Sequence, residues 1–303
     1  MAVRPELAVA SDACVVGCGP HMRHAFSLRG HAALQCPVCG LYAVALDAHA
    51  GDTILDRTQL ESALRPLRVA NYVHVLRRLG ELTSLRGRKL LDVGCGSGWF
   101  LDLAEASGCA CYGIEPDEFF YQRAVIRVGS RCQLTQGLFA RDLPSEWGLF
   151  DVITFHDVFE HVHEPIAILR AARERLGAGG HLVFSLPMAD GFAFRLARLL
   201  YEVGIAGPLE RMVQINYPYP HVFYFTRQNF AALARRAGLE PALIEPLRSF
   251  SVRGALHRAG MDHRVRSVDR VKHYAAAAAL TALAVAEPVL PADNVLIVLR
   301  SHA

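Results

Sequence analysis

Beyond residue 89 the chain is a series of short apolar runs separated by amphipathic stretches. The runs are Lys89–Val93, Ala110–Ile114, Gln133–Thr135, Phe150–Phe155, His181–Leu186, Pro241–Ile244 and Val295–Leu299. The intervals before the sixth run carry apolar residues at helical spacing. Strand alternating with helix predicts an α/β domain built on a mostly parallel sheet. In such sheets ligands bind beyond the carboxyl ends of the strands, so the polar and glycine residues that follow each run are the first candidates for function. Upstream, Leu60, Leu64, Leu67, Val75, Leu76 and Leu79 recur at helical intervals and predict one or two connecting helices, with a break permitted at Pro66. The first fifty residues have no such rhythm and read as turns and short strands. The expected organisation is a small module over 1–52, a helical connector over 53–84 and an α/β domain over 85–303, with inserts at 188–238 and 250–290.

Composition narrows the class without naming it. Of 303 residues, 52% are apolar and 20% charged, which supports a packed core and excludes disorder across the chain. The net charge of +3 argues against the broad basic surface that non-specific nucleic-acid binding needs. No basic stretch followed by an apolar core opens the sequence, so the reducing cytoplasm is the expected compartment. The longest charge-free apolar run, Tyr274–Ala286, has thirteen residues against the roughly 20 of a spanning helix, so no membrane span is expected.

Eight cysteines fall into two groups. Cys14 and Cys18 form one close pair and Cys36 and Cys39 another, with seventeen residues between the pairs. Two thiol pairs at that distance suit a structural Zn²⁺ held by four thiolates, the glycine after each pair easing the turn that points both sulfurs inward. A redox dithiol and unliganded thiols are the competing uses. Cys95, Cys109, Cys111 and Cys132 read as small core or loop residues.

The strongest local pattern is Leu90-Leu91-Asp92-Val93-Gly94-Cys95-Gly96-Ser97-Gly98-Trp99-Phe100, a buried strand running into a glycine loop and then a helix. Its spacing is one residue shorter than the dinucleotide fingerprint. It also carries Asp92, a carboxylate unfavourable to a pyrophosphate and favourable to a cationic ligand. The next strand ends at Glu115, 17 residues after Gly98, where an acidic side chain can accept both hydroxyls of a ribose.

LDVGCGSGWF, GIEPD, FDVITFHDVFEHVHEP and GAGGHLVFSLP, in that order, resemble the motifs of the class I S-adenosylmethionine-dependent methyltransferases, in particular the branch that includes the ubiquinone-biosynthesis O-methyltransferases. The resemblance covers roughly Leu85 to Leu247. It implies a Rossmann-like seven-stranded sheet with helices on both faces and S-adenosylmethionine as cofactor. By position, Asp92, Gly94, Gly96 and Gly98 would surround the methionine end of the cofactor and Glu115 would hold the ribose. Gly137 and Leu138 would lie near the adenine, with Asp142 as the candidate for its amino group, and His156 would flank the sulfonium.

Methyl transfer from a sulfonium is an in-line displacement whose leaving group is already installed, so positioning can supply most of the catalysis. A phenol, alcohol or carbon acid must in addition lose a proton, and His156 and His221 are the candidate bases. The segment from His156 to Glu164 has two further readings: Glu160 and His161 fix the loop by hydrogen bonds, or Asp157, Glu160 and His161 hold a divalent metal. The strand is not followed by Asn or Asp with Pro-Pro and an aromatic, which disfavours amine methylation of nucleic-acid bases by enzymes of that signature. The aromatic stretch Asn216–Thr226, broken by two prolines, suits a pocket wall, and Thr226 reads as the N-cap of the next helix.

These expectations converge on a methyltransferase acting on a small molecule, O-methylation leading and C- or N-methylation open. The cluster Arg253, Arg258, Arg264, Arg266, Arg270 and Lys272 is either a solvated helix face or an attractor for an anionic acceptor. An RNA methyltransferase whose cysteine module grips its substrate is the main alternative. Residues 1–40, however, carry only Arg4, Arg23 and Arg29 against Glu6 and Asp12, and four thiolates on Zn²⁺ would leave the module near −1. Bracing the catalytic domain, covering the acceptor pocket or forming a homodimer are the expected roles of that module. A non-catalytic scaffold that binds the cofactor is the third alternative.

Overall fold

Strands and helices alternate as the apolar rhythm predicts. The structure is a computed structural model that describes residues 13–19, 21–45, 57–215, 219–250, 278 and 281–301. The arginine-rich stretch at 253–272, the first twelve residues and Asn216–Pro218 lie outside the described residues.

In chain order come β1 (Arg23–Leu28), β2 (His31–Gln35), β3 (Tyr42–Val44) and the long α1 (Arg57–Leu82), followed by β4 (Lys89–Val93), α2 (Trp99–Ala106), β5 (Ala110–Glu115), α3 (Glu118–Val128) and β6 (Gln133–Gln136). The short α4 (Phe139–Asp142), β7 (Phe150–His156), α5 (Pro165–Glu174), β8 (Leu176–Pro187), α6 (Phe192–Glu202), α7 (Gly207–Val213) and β9 (Phe223–Tyr224) follow. The chain then forms α8 (Arg227–Arg236), β10 (Leu239–Leu247) and β11 (Asn294–Ser301). All seven runs identified in the sequence are strands of one sheet of order β10-β11-β8-β7-β4-β5-β6. Its β6, β5, β4, β7 and β8 are mutually parallel, and β11 runs antiparallel to both β8 and β10.

Both faces of this sheet are covered, which is why its strands are almost continuously apolar. Successive side chains of a strand point to opposite faces. Leu91, Ile153, Leu182 and Phe184 therefore join one apolar cluster, while Leu90, Val152 and Val183 join the other. Local chemistry sets the helix starts: Asp117 caps α3 by accepting from the Phe119 N–H at 2.9 Å. Thr226 caps α8 in a reciprocal capping box with Asn229. Pro66 does not break the connector; α1 runs through it as one helix, the far half anchored by Val75, Leu76 and Leu79 in the second cluster.

The cysteine module forms its own antiparallel sheet, but the order of that sheet is β1-β2-β3-β9. Its last strand comes from the insert about 180 residues further on. The module has no separate core: Phe26, Leu28, Leu41 and the buried thiols Cys14 and Cys36 belong to the same apolar cluster as Phe155, Phe184 and Phe225.

Candidate active site

The carboxyl ends of β4, β5, β7 and β8 meet at one edge of the sheet, where the sequence places Asp92, Glu115, His156 and Ser185. Asp92 is buried, its Oδ1 accepting from the Thr154 hydroxyl at 2.7 Å. The loop that follows turns through positive φ at Gly94, Gly96 and Gly98. At Gly94 the need is double: φ is +66° and an added Cβ would lie 2.6 Å from Val158 Cγ2.

Glu115 holds this loop in place. Its Oε2 accepts from the Gly96 N–H at 2.8 Å and its Oε1 from the Asp117 N–H at 2.9 Å, leaving the remaining lone pairs for a ligand hydroxyl. Burial pushes the carboxyls of Asp92 and Glu115 up to about 7 each, and their mutual repulsion adds to the rise at Asp92. Gly137 follows β6, its N–H donating to the Glu115 carbonyl at 3.1 Å. Next to it, Leu138 is partly exposed. Asp142 is occupied locally: it accepts from the Leu138 N–H at 2.8 Å and pairs with Arg141 at 2.9 Å.

His156 ends β7, buried between the rings of Phe100 at 4.2 Å and Tyr72 at 5.0 Å. Its Nδ1 and the Ser185 hydroxyl lie 2.8 Å apart, and its buried Nε2 has no partner. Burial lowers this imidazole to about 4, so it is an uncharged ring at physiological pH. Asp157 adopts φ +53°, a strained conformation for a non-glycine residue, and its carboxylate meets Arg68 of α1 at 3.1 Å. The Arg68–Asp157 pair acts electrostatically on His156, Glu160 and His161 together.

Glu160, His161 and His221 form the second half of the site. Their ligand atoms lie within 4.8 Å of one another. His161 Nδ1 is 3.0 Å from the Pro220 carbonyl, which can only accept, so this nitrogen carries the proton. His221 Nδ1 is 2.6 Å from the Tyr224 hydroxyl, which itself donates to the Met212 carbonyl; the imidazole is therefore also the donor at Nδ1. Both Nε2 atoms thus carry lone pairs. That of His221 lies 3.9 Å from Glu160 Oε1. Glu160 is buried with Oε2 unpartnered, and burial together with Asp157 holds its carboxyl well above the ordinary range. A carboxylate and two imidazole lone pairs can share a proton or ligate a divalent cation. The sequence set of Asp157, Glu160 and His161 is redrawn here: Asp157 is committed to Arg68, and His221 takes its place.

Sequence patterning missed Arg68, Tyr72 and Ser185. Arg68 and Tyr72 occupy unremarkable positions in a helical repeat, and only the docking of α1 over the carboxyl edge gives them a role.

Comparison with known proteins bears on this geometry. Residues 64–243 match the family model described as a methyltransferase domain. A ubiquinone biosynthesis O-methyltransferase of Ralstonia nicotianae is 30% identical over 171 residues, covering 54% of this chain and 67% of that one. The enzyme of the same name from Pseudomonas putida is 31% identical over 144 residues, covering 45% and 60%. This chain therefore spans about two-thirds or less of these relatives' length. Among solved structures, a chain of the complex between the Haloferax volcanii Trm112 methyltransferase activator and a methyltransferase matches with TM-score 0.52 at 15% identity, covering 82% of this chain and 98% of that one. A Galdieria sulphuraria protein described as a sarcosine dimethylglycine methyltransferase matches with TM-score 0.51 at 12% identity, covering 83% and 92%; both likenesses speak to fold alone. Because the family match takes in α1 from Leu64, the glycine loop, Glu115, the Glu160–His161 turn and His221, the chain belongs to the methyltransferase domain family of S-adenosylmethionine-dependent enzymes.

Proposed function

We propose that this enzyme transfers the methyl group of S-adenosylmethionine to a hydroxyl oxygen of a small-molecule acceptor. The observation that carries this reading is the bare Nε2 of His156, buried between two aromatic rings at the edge where the glycine loop ends. In this reading Asp92 and the loop from Gly94 to Gly98 receive the methionine end, Glu115 the ribose, and Gly137 with Leu138 the adenine. An imidazole lowered to about 4 is too weak a base to take a phenolic proton outright. His156 instead forms a hydrogen bond with the acceptor hydroxyl through Nε2 and orients the oxygen for in-line attack. Glu160 and His221, whose Oε1 and Nε2 lie 3.9 Å apart, are the neighbouring groups through which the acceptor's proton can leave. Incubation with methyl-labelled S-adenosylmethionine and a panel of hydroxylated aromatic acceptors tests the reading by mass spectrometry. A labelled methyl ether supports it; label on structured RNA, with a steep salt dependence of binding, would favour the alternative acceptor.

Cofactor affinity should depend on pH with a defined sign. Asp92 and Glu115, held up to about 7, must be ionised to accept from the ammonium and the ribose. Protonation below pH 7 removes that capacity, so affinity measured by calorimetry is expected to fall as pH drops from 8 to 6. A flat profile would remove these carboxyls from the cofactor site.

The four cysteines of the amino-terminal module are proposed to hold a structural Zn²⁺. Their sulfurs lie within 4.8 Å of one another, and Cys14 Sγ and Cys39 Sγ are 3.6 Å apart. A tetrahedron of thiolates around zinc has edges of about 3.8 Å, given a Zn–S bond of about 2.3 Å. Metal analysis of freshly purified protein should find one zinc per chain, lost in Cys36→Ser.

A further inference from the structure

The two thiol turns grip opposite ends of one helix. At its start, Asn229 of α8 is buried and donates from Nδ2 to the Cys39 carbonyl at 3.2 Å. At its end, Arg236 donates to the Val15 carbonyl at 3.0 Å, its guanidinium filling the space where a side chain on Gly17 would stand, 2.5 Å from an added Cβ. Between them, β3 pairs with β9, the two-residue strand Phe223–Tyr224 that adjoins His221. A strand of two residues has no stability of its own. One residue then connects the module to the active site through the backbone: the Val222 carbonyl accepts from the Val44 N–H at 2.9 Å, and the Val222 N–H donates to the Glu160 carbonyl at 2.9 Å.

We propose that the four-cysteine module positions the acceptor side of the active site: closing the thiolate site fixes β3, β3 fixes β9, and β9 holds His221 against Glu160. The proposal rests on the zinc reading above and extends it from a local staple to a determinant of the catalytic centre. The strands of this module share the apolar cluster of the catalytic domain, so what the metal would order is the pair of thiol turns and the edge they hold. The cofactor half of the site has no such dependence. Asp92, the glycine loop and Glu115 are held by β4, β5 and β7 of the large sheet. Metal loss should therefore separate the two halves, loosening His221 while leaving the cofactor cradle intact.

The test compares the zinc-loaded full chain with the same chain stripped by a chelator, by three measurements. Amide exchange over residues 221–225 should accelerate at least tenfold on stripping. The ring ¹⁵N signals of His221 should move from the pure Nδ1–H tautomer towards the Nε2–H form that predominates in a free histidine side chain. The Kd for S-adenosylhomocysteine should stay within twofold, and restoring zinc should reverse the first two changes. Unchanged exchange and an unchanged His221 tautomer would overturn the proposal, as would collapse of S-adenosylhomocysteine binding in parallel with metal loss. Val44→Pro removes the N–H that holds Val222 while leaving all four thiols. It should reproduce the exchange and tautomer changes with zinc retained. If the purified chain carries no zinc, the zinc reading fails, and the Val44→Pro measurement alone then decides whether β3 positions His221.

Discussion

Replacing Glu115 with Ala is expected to raise the Kd for S-adenosylmethionine about 100-fold, some 3 kcal/mol at roughly 1.4 kcal/mol per decade. Two losses combine. The carboxylate would no longer accept from a ribose, and hydrogen bonds to a charged group are worth about 1.5–3 kcal/mol each. The Gly96 and Asp117 N–H groups, now 2.8 and 2.9 Å from Glu115, would lose their acceptor, leaving the glycine loop tied to β5 only by the Gly94 and Cys95 N–H groups on the Ile114 carbonyl. Glu115→Gln should fall between the two. Its amide keeps one oxygen acceptor but turns a donor towards one of the two backbone donors. Calorimetric titration checks both variants; binding by Glu115→Ala within threefold of the parent would show that another group holds the ribose.

Phe155→Ala is expected to cost about 3–5 kcal/mol of stability, the range for deleting a buried aromatic ring. Phe155 is fully buried, stacks on Phe184 at 5.0 Å with an interplanar angle of 5°, and meets Phe139 edge-on at 5.8 Å. Urea denaturation measures the loss. Leu138→Ala, at a side chain 44% exposed, should change stability by no more than about 0.5 kcal/mol. Because successive side chains of β7 point to opposite faces, the gap opens in the cluster of Phe184 and Phe139, away from the Tyr72 and Phe100 rings that hold His156. A loss under 1 kcal/mol would mean that the rings on this face repack around the gap.

Much of this site was legible along the chain because its parts are local. The glycine loop needs three residues able to take positive φ within five positions, and Glu115 follows directly from the strand that carries it. Thr226 and Asn229 announce the start of α8 three residues apart. The His156–Glu164 segment was legible as chemistry but not as geometry. Which carboxylate joins His161 depends on the direction each side chain takes off a strained turn, and Asp157 turns to Arg68 rather than to the histidines.

The cysteine spacing likewise announced a four-thiol cluster, since the turns that bring each pair together are encoded within a few residues. It contained no information about the partner of that cluster. Phe223 and Tyr224 form a strand only because β3 offers an edge, and no residue pattern over two positions can signal that.

By itself, then, the sequence determined the alternation of strands and helices, the glycine loop with its acid, and the thiol pairs. Each of these is set by backbone conformation or side-chain spacing over a handful of residues. Tertiary structure alone decided that α1 brings Arg68 and Tyr72 to the carboxyl edge, that His221 completes the cluster around Glu160, and that the amino-terminal sheet ends in a strand of the insert. Those arrangements join residues 60 to 180 positions apart. Long-range packing and the pairing of otherwise open backbone groups select them, and neither leaves a periodic trace in the chain.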